Sequence, residues 1–232
     1  MDSEPKVSAV ILAGGSGLRL SSDIPKQYLE IGREPVLTYS IKLFDRLPFV
    51  NEIVIVAAKE WLNYVEVNII ASYSYEKPIR LVAGGEHRQE SSFNGVLAAN
   101  EPYVMIHDGA RPFAGSVDIE QLYLSVVEFK AAVLAVPVTD TIKEAACDMQ
   151  IIKTTPRDRL WAAQTPQAFC REILIKAHRK ALSCNFLGTD EASLLEFLGE
   201  KVMIVEGSRQ NIKITTQEDL VFADFLLRRN KS

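Results

Sequence analysis

Short apolar runs rich in β-branched residues recur along this chain, at Val7–Leu12, Ile53–Ala57, Ile79–Val82, Tyr103–Ile106, Val133–Val136 and Val202–Val205. A strand with one wet face alternates apolar and polar residues. A parallel-sheet strand covered on both faces is apolar nearly throughout. The runs therefore predict a parallel sheet buried between two layers of helix, and the segments between them carry the helical period. Pro35 suits a first helical position, where its missing N–H costs nothing, and Leu37, Ile41 and Phe44 follow at i, i+4 and i+7. Ser116 is placed to cap a helix whose buried stripe is Ile119, Leu122, Tyr123 and Val126. Thr189 is the expected cap of another, with Asp190 and Glu191 in its first turn and Gly199 just past its end. Thr216 with Asp219 forms a capping-box variant before Leu220, Ala223 and Leu227. The fold class is a doubly wound α/β sheet, with ligands expected beyond the carboxyl ends of the strands.

One stretch breaks the rhythm. From Pro137 to about Arg157 the chain is polar, with strand-like pieces at Thr141–Lys143 and Ile151–Thr154. It reads as a β-arm at about 137–157, projecting from a single domain that spans residues 1–232. That length is ample for one core, and 47% hydrophobic with 24% charged residues is ordinary globular usage. The net charge of −4 argues against a nucleic-acid binder that works by bulk phosphate neutralisation, so an anionic ligand requires a local cluster of cations. Three scattered cysteines (Cys147, Cys170, Cys184) and three scattered histidines give no zinc spacing and suit a reducing compartment. The opening MDSEPKVS is polar and no apolar run reaches about 18 residues, so neither a signal peptide nor a membrane span is expected. The expected setting is the cytoplasm.

Directly after the first apolar run come Ala13, Gly14, Gly15, Ser16, Gly17, Leu18 and Arg19, then Pro25, Lys26 and Gln27. Glycines after a strand let backbone N–H groups approach a phosphate closely. A dinucleotide fingerprint started at Gly15 would need its third glycine where Leu20 stands, and Pro25 blocks the immediate helix. The Gly-Lys-Ser/Thr of a P-loop is absent. What remains is a glycine loop followed by an arginine and a lysine.

That loop resembles the first loop of nucleotidylyltransferases, and the motifs that follow resemble one branch of them. Gly84-Gly85-Glu86-His87-Arg88-Gln89-Glu90-Ser91 with Asn94-Gly95 is similar to a cytidylyltransferase segment. His107-Asp108-Gly109-Ala110-Arg111-Pro112, Asp140-Thr141-Ile142-Lys143, Leu160-Trp161 with Gln164-Thr165-Pro166-Gln167, Thr189-Asp190 and Asn211-Ile212-Lys213-Ile214-Thr215 follow in the same order. The ordered set resembles the 2-C-methyl-D-erythritol 4-phosphate cytidylyltransferase family of the non-mevalonate isoprenoid pathway, over residues 7 to 227. The resemblance implies a Rossmann-like sheet, a protruding arm that completes a homodimer, and Mg²⁺ as cofactor. It also implies a reaction of CTP with a polyol phosphate that releases pyrophosphate.

Residue by residue, the resemblance implies that Arg19 and Lys26 stabilise charge on the triphosphate. It assigns Ala13, Gly14, Gly15 and Gly17 to the nucleotide pocket, and Gly85, Glu86 and Ser91 to the cytosine. Asp108 would hold Mg²⁺, and Lys213 would bridge the α-phosphate and the incoming phosphate. Asp108, Arg111, Thr141, Arg157 and Thr165 would hold the second substrate, Thr141 and Arg157 across the dimer. From the residues alone, Asp108 could cap a turn, Lys213 in Ile212-Lys213-Ile214 fits a solvent-facing strand lysine, and Arg159 competes with Arg157. His107 reads as structural and His87 as a pocket-rim residue.

Two departures stand out. Gly109 takes the place of a usual alanine, which is expected to loosen that loop. Pro156 precedes Arg157 and biases Thr155 toward extended backbone. Competing readings are a ribitol 5-phosphate cytidylyltransferase, a sugar-1-phosphate nucleotidylyltransferase, a non-catalytic nucleotide-binding regulator and a Rossmann dehydrogenase.

Overall fold

The apolar runs pair side by side in the computed structural model, which describes residues 4–15 and 24–229. In chain order, β1 (Val7–Ala13) leads through the small strands β2 (Glu30–Ile31) and β3 (Glu34–Pro35) into α1 (Val36–Asp45). Next come β4 (Val50–Ala57), α2 (Leu62–Val65), β5 (Ile79–Ala83), α3 (Arg88–Ala98), β6 (Tyr103–Asp108), α4 (Ser116–Phe129) and β7 (Ala131–Pro137). A hairpin of β8 (Ile142–Ala145) and β9 (Ile151–Thr155) stands apart from the main sheet, in the segment expected to form an arm. The chain ends with β10 (Trp161–Cys170), α5 (Arg171–Ser183), α6 (Glu191–Leu198), β11 (Met203–Glu206) and α7 (Gln217–Arg229).

Among the described residues the central sheet runs β11-β7-β10-β6-β1-β4-β5. Every neighbouring pair is parallel except the two made by β10, which runs against β6 and β7. This is the mostly parallel, doubly wound α/β sheet that the pattern of runs predicts. Alternate strand residues point to opposite faces, so each strand feeds two cores. Ala9 and Ile11 of β1 meet Leu37, Ile41 and Phe44 of α1, and Ile119, Leu122 and Val126 of α4 share that core. Val10 meets Val96 of α3, with Leu174 of α5 and Leu195 of α6 in the same cluster. From β1 the chain first adds β4 and β5 on one side, then crosses to place β6 on the other. The reversal opens a crevice at the carboxyl ends of β1 and β6, where sheets of this kind take their ligands.

Several local expectations are corrected. Pro35 precedes α1 as its cap instead of opening it, and Gly115 rather than Ser116 caps α4. Asp190, not Thr189, caps α6, accepting from the Ser193 N–H at 3.0 Å in a capping box. Residues 211–215 form no strand. Strand β10 was not anticipated, because Gln164, Thr165, Pro166 and Gln167 interrupt its apolar pattern and a proline argues against a central strand. The ladder explains the exception. Ala163 faces Ala135 and Gln167 faces Val133, four steps along β10 against two along β7. The extra residues bulge out of the pairing, where Pro166 has no ladder bond to lose.

Two glycines fit the layers together. A Cβ at Gly95 would run into the side chains of Val10 and Val56, so only glycine lets α3 lie this close to β1 and β4. At Gly109 the space of the missing methyl is filled: Leu37 Cδ1 lies 2.9 Å from where a Cβ would stand, and the Gly109 N–H donates to Leu12 O at 2.9 Å. The expected loosening of this loop is not seen. His178 is structural; it stacks on Phe93 at 4.9 Å, and burial lowers its pKa to about 4.

The Gly95 contact carries a prediction. Gly95→Ala should lower stability by about 1–3 kcal/mol, the usual cost of overpacking. Thermal unfolding measures it, and an unshifted midpoint would show that α3 is not pinned this way.

Candidate active site

The crevice at the strand ends is a cleft of about 920 Å³, within the range of small-molecule sites. Its walls come from four strand exits. Gly14 and Gly15 follow β1, Ala58 to Glu60 follow β4, Gly84 to His87 follow β5, and Asp108 ends β6. Lys26 and Lys213 reach it from segments distant in the chain.

The first loop is pinned by the turn that follows it. Gln27, nearly buried, donates from Nε2 to Ala13 O at 2.6 Å and to Gly15 O at 3.0 Å. The Tyr28 hydroxyl donates to Ala13 O at 2.9 Å. These bonds set Lys26, one residue earlier, beside the glycines. Gly17 and Arg19 lie outside the described residues. On the opposite wall the Gly85 N–H donates to Ser91 Oγ at 3.0 Å and the Glu86 N–H to Glu90 Oε2 at 2.9 Å. The first turn of α3 thereby fixes the loop above it.

Asp108 organises the floor. Its Oδ2 accepts from Lys213 Nζ at 2.7 Å and its Oδ1 from Arg88 Nη2 at 3.3 Å, while Arg111 Nε stands 3.9 Å from Oδ2. Burial alone would raise the pKa of this carboxyl. Arg88, Lys213 and Arg111 outweigh burial and hold it far below the usual range, so it is ionised at any physiological pH. Burial lowers the pKa of Arg111, with Asp108 opposing. Lys213 is brought in by its own segment: the Ile214 N–H donates to Ala110 O at 2.9 Å, and Arg111 Nη1 donates to Asn211 O at 2.7 Å. Lys213 is therefore not the solvent-facing strand lysine that alternation suggests.

Beneath Asp108 runs a chain of hydrogen bonds with a defined direction. The Asp108 N–H donates to Thr165 Oγ1 at 3.0 Å, and His107 Nδ1 lies 3.1 Å from that hydroxyl. His107 Nε2 meets Arg111 O at 3.0 Å. A carbonyl only accepts, so Nε2 carries the proton and Nδ1 accepts from Thr165. Burial lowers the His107 pKa to about 4, which keeps the ring neutral in this role. His107 and the bulged Thr165 thus fix the backbone on both sides of Asp108.

The expected site residues divide into three groups. Gly14, Gly15, Lys26, Gly85, Glu86, Ser91, Asp108 and Lys213 line the cleft, with His87 at the same wall. Ala13 and Arg111 lie directly behind the lining, and Thr165 is buried with its hydroxyl engaged inward. Thr141 and Arg157 are exposed on the arm side, away from the lining, where Arg157 Nη1 donates to Thr139 O.

Sequence reasoning assigned no role in the site to Arg88, Glu191, Gln27 or Asn211. Three of them stand inside the quoted motifs, which was the available signal. Glu191 follows one. Among the described residues no group of three His, Cys, Asp or Glu side chains is arranged to hold a metal. The single carboxylate of Asp108 fits Mg²⁺ only as an ion whose other ligands are phosphate oxygens and water, which is the usual habit of that ion.

Comparison with known proteins places the whole chain in a family. The family model described as 2-C-methyl-D-erythritol 4-phosphate cytidylyltransferase matches residues 7–229. A protein of that name from Caldanaerobacter subterraneus subsp. tengcongensis is 46% identical over 225 residues, covering 96% of this chain and 99% of the relative. The crystal structure of 4-diphosphocytidyl-2C-methyl-D-erythritol synthase from Anaerococcus prevotii superposes with a TM-score of 0.86 at 35% identity, covering 97% of each chain. That of 2-C-methyl-D-erythritol 4-phosphate cytidylyltransferase from Thermus thermophilus gives 0.80 at 29% identity, covering 96% of this chain and 99% of that one. With a family model spanning nearly its whole length and relatives matching from end to end, the chain belongs to the 2-C-methyl-D-erythritol 4-phosphate cytidylyltransferase family.

Proposed function

We propose that this enzyme joins 2-C-methyl-D-erythritol 4-phosphate to CTP, giving 4-diphosphocytidyl-2-C-methyl-D-erythritol and pyrophosphate in isoprenoid precursor biosynthesis. The observation that carries the reading is the Asp108 cluster at the head of a cleft built from the β1 and β5 glycine turns, in a chain of this family. An oxygen of the polyol phosphate attacks the α-phosphorus of CTP, and the bond to the β-phosphate oxygen breaks. The attacking phosphate is already ionised near neutral pH, so no general base is required. The work is to bring two anions together and stabilise charge at phosphorus. Lys26 beside the first loop and Lys213 on the floor supply cations for that purpose, and Arg19 joins them by family resemblance. The carbonyl oxygens of the Gly85–Glu86 turn suit the amino group of cytosine, since its N–H groups are already engaged. Mg²⁺ held by Asp108 would neutralise charge on the triphosphate.

The homodimer belongs to the same reading. On the hairpin Met149 is 82% exposed, Ile151 63% and Ile152 59%, an apolar surface that a second copy would cover. Arg157 and Thr141 on that arm would then serve the neighbouring cleft, with Arg111 gripping the polyol phosphate from within. A cytoplasmic setting accords with three free cysteines. No helix among the described residues is long and apolar enough to cross a membrane. The ribitol 5-phosphate alternative draws no support from the family model or from the relatives described above.

Pyrophosphate release with CTP and Mg²⁺ tests the reaction. Turnover is expected with methylerythritol 4-phosphate and not with ribitol 5-phosphate; the reverse preference would overturn the second-substrate assignment. The arm is tested by dilution to a demonstrated monomer. KM for the polyol phosphate should then rise while CTP binding persists, and unchanged turnover would remove the shared-site idea.

A further inference from the structure

Lys213 holds one oxygen of Asp108, and Arg88, which also lines the cleft, holds the other. Arg88 Nη2 donates to Asp108 Oδ1, and the same guanidinium forks onto Glu191, with Nη1 to Oε1 at 2.8 Å and Nη2 to Oε2 at 3.0 Å. Glu191 is 1% exposed. Burial would lower the arginine's pKa, and Glu191 and Asp108 together outweigh it and move it upward instead. The Arg88 side chain is 34% exposed at the cleft while Glu191 is buried. Burying a carboxylate in such a pair is a poor device for stability alone, because an apolar pair of similar volume often serves as well. What the apolar pair lacks is a cation fixed in orientation.

The surroundings fix that orientation further. Glu191 opens α6, whose entry is set by the Asp190 cap and by Gln167, which donates to Asp190 Oδ2 at 2.7 Å and accepts from the Ala192 N–H at 3.2 Å. Next to Arg88, Gln89 accepts from the Gly188 N–H at 2.9 Å and donates to Phe186 O at 3.2 Å. The first turn of α3 is thereby clamped to the segment before α6 at two points.

We infer that Arg88, oriented by Glu191, is a positioning residue for Asp108, fixing one carboxylate oxygen so that the other stays turned toward Lys213 and the reacting phosphates. This rests on the reaction proposed above. When Lys213 turns to phosphate, Asp108 loses one partner; Arg88 keeps it in place, and Arg88 with Arg111 still matches the charge of Asp108 and Glu191. Arg88 also begins the helix that carries Ser91, so the carboxylate and the wall assigned to cytosine share one rigid support.

The test compares wild type with Glu191→Gln, Arg88→Lys and the paired replacement Arg88→Met with Glu191→Met. Pyrophosphate release, calorimetric CTP binding and thermal unfolding are measured for each. Glu191→Gln and the Met pair should melt close to wild type and bind CTP within about two-fold, with kcat reduced about 10–100-fold, as expected when a reacting group is misplaced without loss of binding. Arg88→Lys, which retains a cation, should fall between the Met pair and wild type. A Met pair with wild-type kcat would overturn the inference. So would a loss of kcat in Glu191→Gln that only follows a loss of folded protein. Absence of wild-type turnover with methylerythritol phosphate would strike at the reaction, whereas normal wild-type turnover with unaffected variants would strike only at Arg88 and Glu191.

Discussion

A single buried carboxylate surrounded by three cations organises this molecule's cleft. Asp108 is far too buried to stand ionised alone, and Arg88, Lys213 and Arg111 are drawn to it from three separate parts of the chain. Each arrives with a backbone attachment. Arg88 comes at the start of α3, Arg111 in the turn after β6, and Lys213 on a segment tied to Ala110. With Glu191 counted beside Asp108, these three cations face two carboxylates, a local surplus of one positive charge in a protein whose net charge is −4. Local concentration thus supplies what overall composition does not, and a doubly anionic encounter becomes feasible.

The sheet makes that cluster possible. The reversal of strand order puts the β1 and β6 exits side by side, so the glycine loop and Asp108 share one crevice. The antiparallel β10 then runs beside β6 in the sheet, and its bulge presents Thr165 to the Asp108 backbone and to His107. A regular strand there would place the side chains of residues 164 to 166 alternately above and below the sheet. The bulge instead turns Gln164 and Thr165 inward, where Asn211 donates to Thr165 O at 2.8 Å and ties in the Lys213 segment.

Much of this was legible in the sequence, for definite reasons. The apolar runs identified six strands of the sheet. In β1, β4, β6 and β7 burial on both faces leaves an unbroken signature, while the edge strands β5 and β11 carry apolar runs although they are only partly buried or exposed. The glycine loop, Asp108 and Lys213 were found through ordered motifs, and all but Gly17 and Arg19 can be placed among the described residues. What stayed hidden depends on long-range pairing. The Arg88 and Glu191 partners lie 103 residues apart, and Thr165 and His107 lie 58 apart. No periodicity marks such pairs. Strand β10 was missed because its polar interior serves the site and not the core. Gly109 misled in the other direction: a missing methyl suggested looseness, yet Leu37 fills the space, a compensation visible only in three dimensions.

The account stands or falls on where the nucleotide lies relative to Asp108. A crystal structure of the protein with CTP and Mg²⁺ measures this directly. The account predicts the base against the Gly84–Glu86 turn and Ser91, the triphosphate between the Gly14–Gly15 loop, Lys26 and Lys213, and Asp108 still held by Arg88. A nucleotide bound elsewhere, or one whose phosphates point away from Lys26 and Lys213, would contradict it.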